Sequence, residues 1–339
     1  MIRRDRHRGI LLACLALAAV LVVVTCPFVG MESISARNLV NGSASSTTEM
    51  IFWQIRVPRV CVGFMAGAGL AVCGMAFQAM FRNPLATPFT LGVASGASLG
   101  AAVYVRLGMA FSLLTVSGMS VFAFLGALGA ICLVYGLTRL RRGFSTATML
   151  LAGIAVTMFF SSLILCMQYI SDFTQSFRIV RWLMGGLEVM GYEGVFNLLP
   201  LVLSGSFILF VMTHELNLLA TGDDLATARG VDVKKVNKIL FGATSLTVGG
   251  IVAICGPIGF IGMMIPHICR LLVGSDHRYL MPASFLLGGL FLTSCDTLAR
   301  SMIAPAEIPV GVITALLGGP FFIWLLIHRS PGSRSWFED

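Results

Sequence analysis

Long apolar runs, each broken from the next by a short polar and often basic stretch, succeed one another along the whole chain. Crossing a bilayer as a helix takes about 20 apolar residues. On that measure ten spans are expected, at Ile10–Gly30, Val57–Phe81, Leu91–Val105, Leu113–Leu137, Thr146–Ile170, Tyr192–Thr213, Val236–Cys255, Ile258–Val273, Leu280–Met302 and Ile308–Ile327. The third and eighth are short, with glycine and proline breaks at their ends. Two polar interruptions stand out: the hinge Arg82-Asn83-Pro84-Leu85-Ala86-Thr87-Pro88 and the stretch 214–235.

Basic residues sort onto alternate loops. Arg3, Arg4, Arg6, Arg8, Arg82, Arg139, Arg141, Arg142, Lys234, Lys235, Lys238, Arg278, Arg329 and Arg334 share one side if there are ten crossings. The other side carries fewer, chiefly Arg37, Arg56, Arg59, Arg106, Arg178 and Arg181. Acids stand among them: Glu32, Glu49, Asp172, Glu188, Glu193 and Glu307. The positive-inside rule then predicts a multi-pass membrane protein of ten crossings with both termini cytoplasmic. Residues 1–339 form one polytopic domain, with a cytoplasmic N-terminus (1–9), a cytoplasmic loop (214–235) and a cytoplasmic tail (329–339). The opening RRDRHR before an apolar run also resembles a secretory signal peptide, but no convincing A-x-A cleavage site follows, and a permanent first helix is expected.

Composition agrees: apolar residues make up 57% of the chain and charged ones 11%, against roughly 25% charged in a soluble domain. The formal net charge of +8 is scattered over short loops, so it sets topology, and no nucleic-acid partner is expected. Nine cysteines lie mostly within apolar runs and form no C-x-x-C pair, which makes them small buried hydrophobes. Gly67 to Gly74 in the second span and Gly249 to Gly256 in the seventh share Gly, Ala, Cys and Gly at four of eight positions. Five crossings apart, they would make an inverted repeat, a common plan in transporters.

No metal-binding or hydrolytic set is legible, and G-x-x-x-x-G-K-[ST] is absent, so the chain has no phosphate-cradling loop of that kind. No cofactor is expected on this chain. If transport is ATP-driven, a partner subunit hydrolyses the nucleotide. Three constellations remain. Arg56 and Arg59, three apart, share a helical face and serve either as interfacial anchors or as a docking site for an acidic partner. Asp296 and Arg300, four apart within a span, allow an internal ion pair or a proton- or cation-coupled step. The polar stretch around Thr221-Gly222-Asp223-Asp224-Leu225-Ala226-Thr227-Ala228-Arg229-Gly230 reads as a short helix or an ordinary surface turn. In it Thr221 or Asp223 would be the N-cap and Gly230 the left-handed C-cap.

Longer motifs then add a family likeness. These are Arg56-Val57-Pro58-Arg59, Gln78 with Arg82-Asn83-Pro84-Leu85-Ala86, Leu91-Gly92-Val93-Ala94-Ser95-Gly96-Ala97, and Arg181-Trp182-Leu183-Met184-Gly185. Gly256-Pro257-Ile258-Gly259-Phe260-Ile261-Gly262, Ile265-Pro266-His267 and Glu307-Ile308-Pro309-Val310-Gly311 complete the set. With them the chain resembles the FecCD family of ABC importer permeases. The resemblance implies an all-α membrane protein of about ten transmembrane helices, with an inverted internal repeat and the type II ABC importer architecture. It implies a homodimer working with a cytoplasmic ABC ATPase and an extracytoplasmic substrate-binding protein. Arg56, Arg59 and Arg300 would meet acids of the binding protein. Thr221, Gly222, Asp223, Asp224, Ala226, Arg229 and Gly230 would couple to the ATPase. Gln78, Asn83, Pro84, Gly92, Ser95 and Gly96 are candidates for the translocation path or gate. The cargo would be a metal chelate, most often an iron–siderophore complex, with haem and cobalamin as alternatives. From another class, an ion-coupled secondary transporter would need Asp296 as its coupling acid.

Overall fold

The computed structural model describes residues 2–30, 34, 35, 37, 39, 41, 45–113, 115–140, 146–303 and 306–328. Glu32, Arg141, Arg142 and the tail 329–339, named above, lie outside the described residues.

All ten apolar runs fold as helices. They are α1 (Ile2–Thr25), α3 (Val57–Phe81), α4 (Val93–Arg106), α5 (Gly118–Leu140), α6 (Thr146–Tyr169), α8 (Glu193–Val211), α11 (Val233–Cys255), α12 (Ile261–Val273), α13 (His277–Ser301) and α14 (Val310–His328). Shorter helices join them, among them α2 (Ser46–Met50), α7 (Phe173–Leu183), α9 (Thr213–Thr221) and α10 (Asp223–Ala228). Among the described residues eight helices are long and apolar enough to cross a membrane. α4, with 14 residues, and α12, with 13, are the exceptions. At about 1.5 Å per residue each covers roughly 20 Å of a hydrocarbon core about 30 Å thick. Irregular backbone supplies the rest: the 3-10 turn Pro88–Leu91 before α4 and the stretch 256–260 before α12. Non-helical backbone is tolerated at membrane depth where protein surrounds it.

α3 is the hub. It packs against α8, α11, α12 and α13, and almost every residue of it from Pro58 onward is buried. Pro58 follows closely on the π-turn Ile51–Arg56, at the point where the helix passes from π to α pairing. This turn runs straight from α2 into α3, so the apolar helix is longer than its apolar run. Glycine lets the hub approach its neighbours backbone to backbone. A Cβ on Gly67 would collide with the Gly288 carbonyl of α13, and one on Gly74 with the Gly262 carbonyl of α12. Small residues of this kind are how helices pack in lipid, where no hydrophobic drive separates helix from solvent.

α13 runs antiparallel to α3 and parallel to α1. Arg8 of α1 lies over the Tyr279 ring at 5.0 Å, and Arg300 donates to the Cys26 carbonyl at 2.7 Å. α1 is thereby fixed to α13 at both ends, as an integral part of the bundle. α14 starts with Gly311 against Met184 and Gly185 and later sets Phe321 against the His267 ring. Its end and the start of α1 therefore lie at the α10 end of the bundle.

Three expectations are corrected. The fourth span begins at Gly118 rather than Leu113, because Ser112–Leu113 and Val116–Ser117 pair as a small antiparallel hairpin. The 214–235 stretch begins as helix, α9, with Leu216 and Leu219 in the core. Neither Thr221 nor Asp223 caps the following helix: Thr221 ends α9, Asp223 is the first residue of α10, and Gly222 at φ 122° is the cap. Gly230, at φ 87°, does take the left-handed conformation expected of it.

Candidate functional site

At one end of the α3–α13 pair, charged residues far apart in sequence meet in a buried cluster. The Arg59 guanidinium is its centre. Its Nε donates to both Asp296 oxygens at 3.0 Å, Nη2 donates to Asp296 Oδ1 at 2.9 Å, and Nη1 donates to Glu307 Oε2 at 2.7 Å. Asp296 is 2% exposed and Arg59 8%. The i, i+4 partner expected for Asp296, Arg300, is the looser one, with Nε 3.8 Å from Asp296 Oδ2. Helical spacing pointed to Arg300, but only tertiary packing brings in Arg59.

Arg56 and Arg300 turn to backbone. Arg56 Nη1 donates to the Pro27 carbonyl at 3.2 Å and the Phe28 carbonyl at 3.4 Å. Arg300 Nη2 donates to Cys26 O and, at 3.4 Å, to Thr297 Oγ1. Cys26–Phe28 form the 3-10 turn that ends α1. Carbonyls at a helix C-terminus lack intrahelical partners and sit at the negative end of the dipole, which suits two cations. The structure thus brings Arg56, Arg59 and Arg300 together as expected. It also gives each an internal partner and leaves each less than a tenth exposed.

Beside this cluster lies an open cavity of about 460 Å3 whose walls include Arg178, Arg181, Glu188, Glu193, Asn197 and Pro309. Arg181 and Glu188 pair across its rim at 2.5 Å. Three of the long motifs converge below it. Gly185, at φ 70°, stands against the Pro257 carbonyl, and the Gly311 N–H donates to Gly185 O at 3.2 Å. Gly256, at φ 68°, would place a Cβ 2.7 Å from Trp182 O. Only glycine fits both the backbone conformation and the space.

At the opposite end, α3 stops at Arg82, which adopts the left-handed conformation at φ 47° while Asn83 N–H reaches back to the Gln78 carbonyl. The hinge follows, its turn closed by Asn83 Oδ1 accepting from Leu85 N–H at 2.9 Å. Arg82 Nη2 lies 3.4 Å from Asp223 Oδ1, the first residue of α10. α10 is pinned by buried Ala226, while Asp224, Leu225, Thr227, Ala228 and Arg229 face outward. A second joint ties α9 to α13. Asn217 Oδ1 accepts from His277 N–H at 2.9 Å and lies 2.7 Å from His277 Nδ1, while Asn217 Nδ2 donates to Asp276 Oδ1 at 2.9 Å. Asp276 also caps α13 through Arg278 N–H. Burial would raise the Asp276 carboxyl. Hydrogen bonds from Arg278 N–H and Asn217, with the charges of Arg278 and Arg8, outweigh that and hold it below the usual range.

Of the candidates named for a path or gate, Gln78, Gly92 and Gly96 are buried within the bundle, and Ser95 is half-buried. Gln78 is fully buried, donating to the Gly262 and Met263 carbonyls at 3.2 and 3.3 Å and accepting from Arg270. Gly92 meets Val156 of α6, Gly96 meets Gly126 of α5, and Ser95 Oγ donates to the Gly92 carbonyl at 3.0 Å. Asn83 is exposed and Pro84 half-buried, both in the hinge. Gln78, Gly92 and Gly96 thus join helix to helix. Sequence reasoning missed Glu307 as a partner of Arg59 and Asn217 as a joint; the motif Glu307–Gly311 was the available signal for the first.

A bundle of helices long and apolar enough to cross a membrane, with a buried charge cluster at one end and a short exposed helix at the other, is a polytopic membrane protein. The family model of the FecCD transport family matches residues 11–328, and the chain belongs to that family. It is similar to the hemin transport system permease protein HmuU of Yersinia pestis, 37% identical over 94% of this chain and 96% of the relative. It is similar to the cobalamin import system permease protein BtuC of Halobacterium salinarum, 39% identical over 84% of this chain and 75% of the relative. It also matches a solved inward-facing structure of an ABC transporter of the metal-chelate type, with a TM-score of 0.85 and 32% identity over 95% of this chain and all of the other.

Proposed function

We propose that this chain is the permease subunit of an ATP-driven importer of a bulky metal chelate, with an iron–siderophore complex as its cargo. It works as a homodimer in the bacterial inner membrane, both termini cytoplasmic, with an ATPase on one side and a binding protein on the other. Hydrolysis belongs to the ATPase, and this chain holds no cofactor. The observation that carries the reading is family membership over nearly the whole chain, together with two differently built ends of one helix pair. The Arg59 end offers cations beside a polar cavity, suited to an acidic binding protein by steered association. The α10 end offers a pinned, outward-facing short helix joined to α3 through Asp223 and Arg82, suited to an ATPase groove. Thr221, Gly222, Asp224, Ala226, Arg229 and Gly230 belong to that coupling segment.

The cargo class is tested by ATP-dependent uptake into proteoliposomes holding permease and ATPase, with binding protein and labelled ferric siderophores, haem or cobalamin offered separately. Selective uptake of a ferric siderophore supports the reading. Uptake of haem or cobalamin instead, the compounds named for HmuU and BtuC, keeps the permease reading and replaces the cargo.

A further inference from the structure

Docking through Arg56, Arg59 and Arg300 meets a difficulty that the geometry itself resolves. Each guanidinium already has an internal partner, and a bare one beside the membrane would be costly. The partners differ in how firmly they are held. Asp296 is buried on α13 and takes three hydrogen bonds from Arg59. The carbonyls that hold Arg56 and Arg300 belong to the turn ending α1. Glu307 alone is a side chain 45% exposed, holding Arg59 through one 2.7 Å bond to Nη1. It sits in the irregular stretch that leads into α14.

We propose that Glu307 is the exchangeable counter-ion of Arg59: it occupies the guanidinium until a carboxylate of the docking protein takes its place. The proposal rests on the docking reading above and specifies how that site is regulated. Exchange of one carboxylate for another never leaves Arg59 unpaired, so the barrier of a bare buried charge is avoided, and Asp296 holds the guanidinium in position throughout. The outer bond is the weaker one, because the Glu307 carboxylate is 45% exposed and open to screening by water and salt, whereas Asp296 is not. Release of Glu307 also frees the stretch that carries Pro309 beside the 460 Å3 cavity. The stretch then keeps the packing of Ile308 on the core and the Ile308 N–H bond to Ala299 O at 3.3 Å before Gly311 bonds Gly185. Docking is thus coupled to the entry of α14.

The test measures the dissociation constant of the binding protein for the complete transporter in nanodiscs. Glu307→Gln is expected to tighten the complex by roughly 1.5- to 5-fold, the range an exposed ion pair spans. The same change in charge at exposed Glu49, Glu49→Gln, controls for long-range steering and should give a smaller gain. In the background Arg59→Met/Asp296→Leu, which removes both charges of the buried pair and leaves Arg300 on the Cys26 carbonyl and the Thr297 hydroxyl, docking should weaken and Glu307→Gln should no longer tighten it. The proposal is overturned if Glu307→Gln leaves the constant unchanged, or tightens it equally in that background or no more than Glu49→Gln does. If the Arg59→Met/Asp296→Leu background docks as well as wild type, the docking reading itself fails and takes the exchange with it.

Discussion

Removing the Asp296 carboxylate isolates the energetics of the buried cluster. In Asp296→Ala, Arg59 loses three of its four charge-assisted hydrogen bonds and keeps only the bond to Glu307. Arg300 loses its nearest carboxylate as well. Breaking a buried pair by deleting one partner costs about 3–5 kcal/mol. Glu307 still offsets part of the charge, so the lower end, about 3 kcal/mol, is expected. That corresponds to roughly a hundredfold in the unfolding equilibrium. The double variant Arg59→Met/Asp296→Leu removes both charges while leaving the volume filled. Its cost should fall within about 1 kcal/mol of wild type, because the desolvation of both ions disappears with their attraction. Unfolding by SDS in mixed micelles, followed by tryptophan fluorescence, measures both. An Asp296→Ala cost below about 1 kcal/mol, or a double variant no more stable than the single one, would refute the reasoning.

Three further outcomes test the packing and the joints. Gly67→Ala puts a methyl group into the Gly288 carbonyl and 2.7 Å from Leu292 Cβ, so about 1–3 kcal/mol is lost to overpacking; Gly129→Ala, with open space around it, should be neutral or slightly stabilising in the same titration. The Arg82–Asp223 pair is half-exposed on both sides and adds at most about 1 kcal/mol to stability. Asp223→Arg should therefore fold normally yet lower cargo moved per ATP hydrolysed, and adding Arg82→Asp should restore it. The depressed Asp276 carboxyl adds stability that is full above its unfolded value near pH 4 and fades as pH falls through its folded value. Wild type should lose its advantage over Asp276→Asn below about pH 4 in a pH series of the same unfolding measurement.

Most of the architecture was readable from the lengths of the apolar runs, because lipid demands long apolar helices. The elements that escaped are those whose signal is tertiary. α9 is short and half polar, and it is helical because Leu216 and Leu219 reach the core. α7 is amphipathic rather than apolar throughout, with Phe173 and Phe177 exposed and Ile179 buried, so a search for spans passes over it. Asp296 shows the same limit at the site. Its neighbour four residues on was visible in the sequence, whereas its principal partner lies 237 residues away. Glycines drew attention as a repeat and as path candidates. Their environments show them spent on close helix contacts, Gly67 on α13 and Gly96 on α5.

The central claim, an importer permease driven by ATP and served by a binding protein, is tested most directly by vectorial uptake in proteoliposomes with four paired samples. These are the complete system, one with a hydrolysis-deficient ATPase, one without binding protein, and one carrying Arg59→Glu. The account predicts cargo accumulation in the first alone. Accumulation that persists without hydrolysis or without binding protein would contradict it.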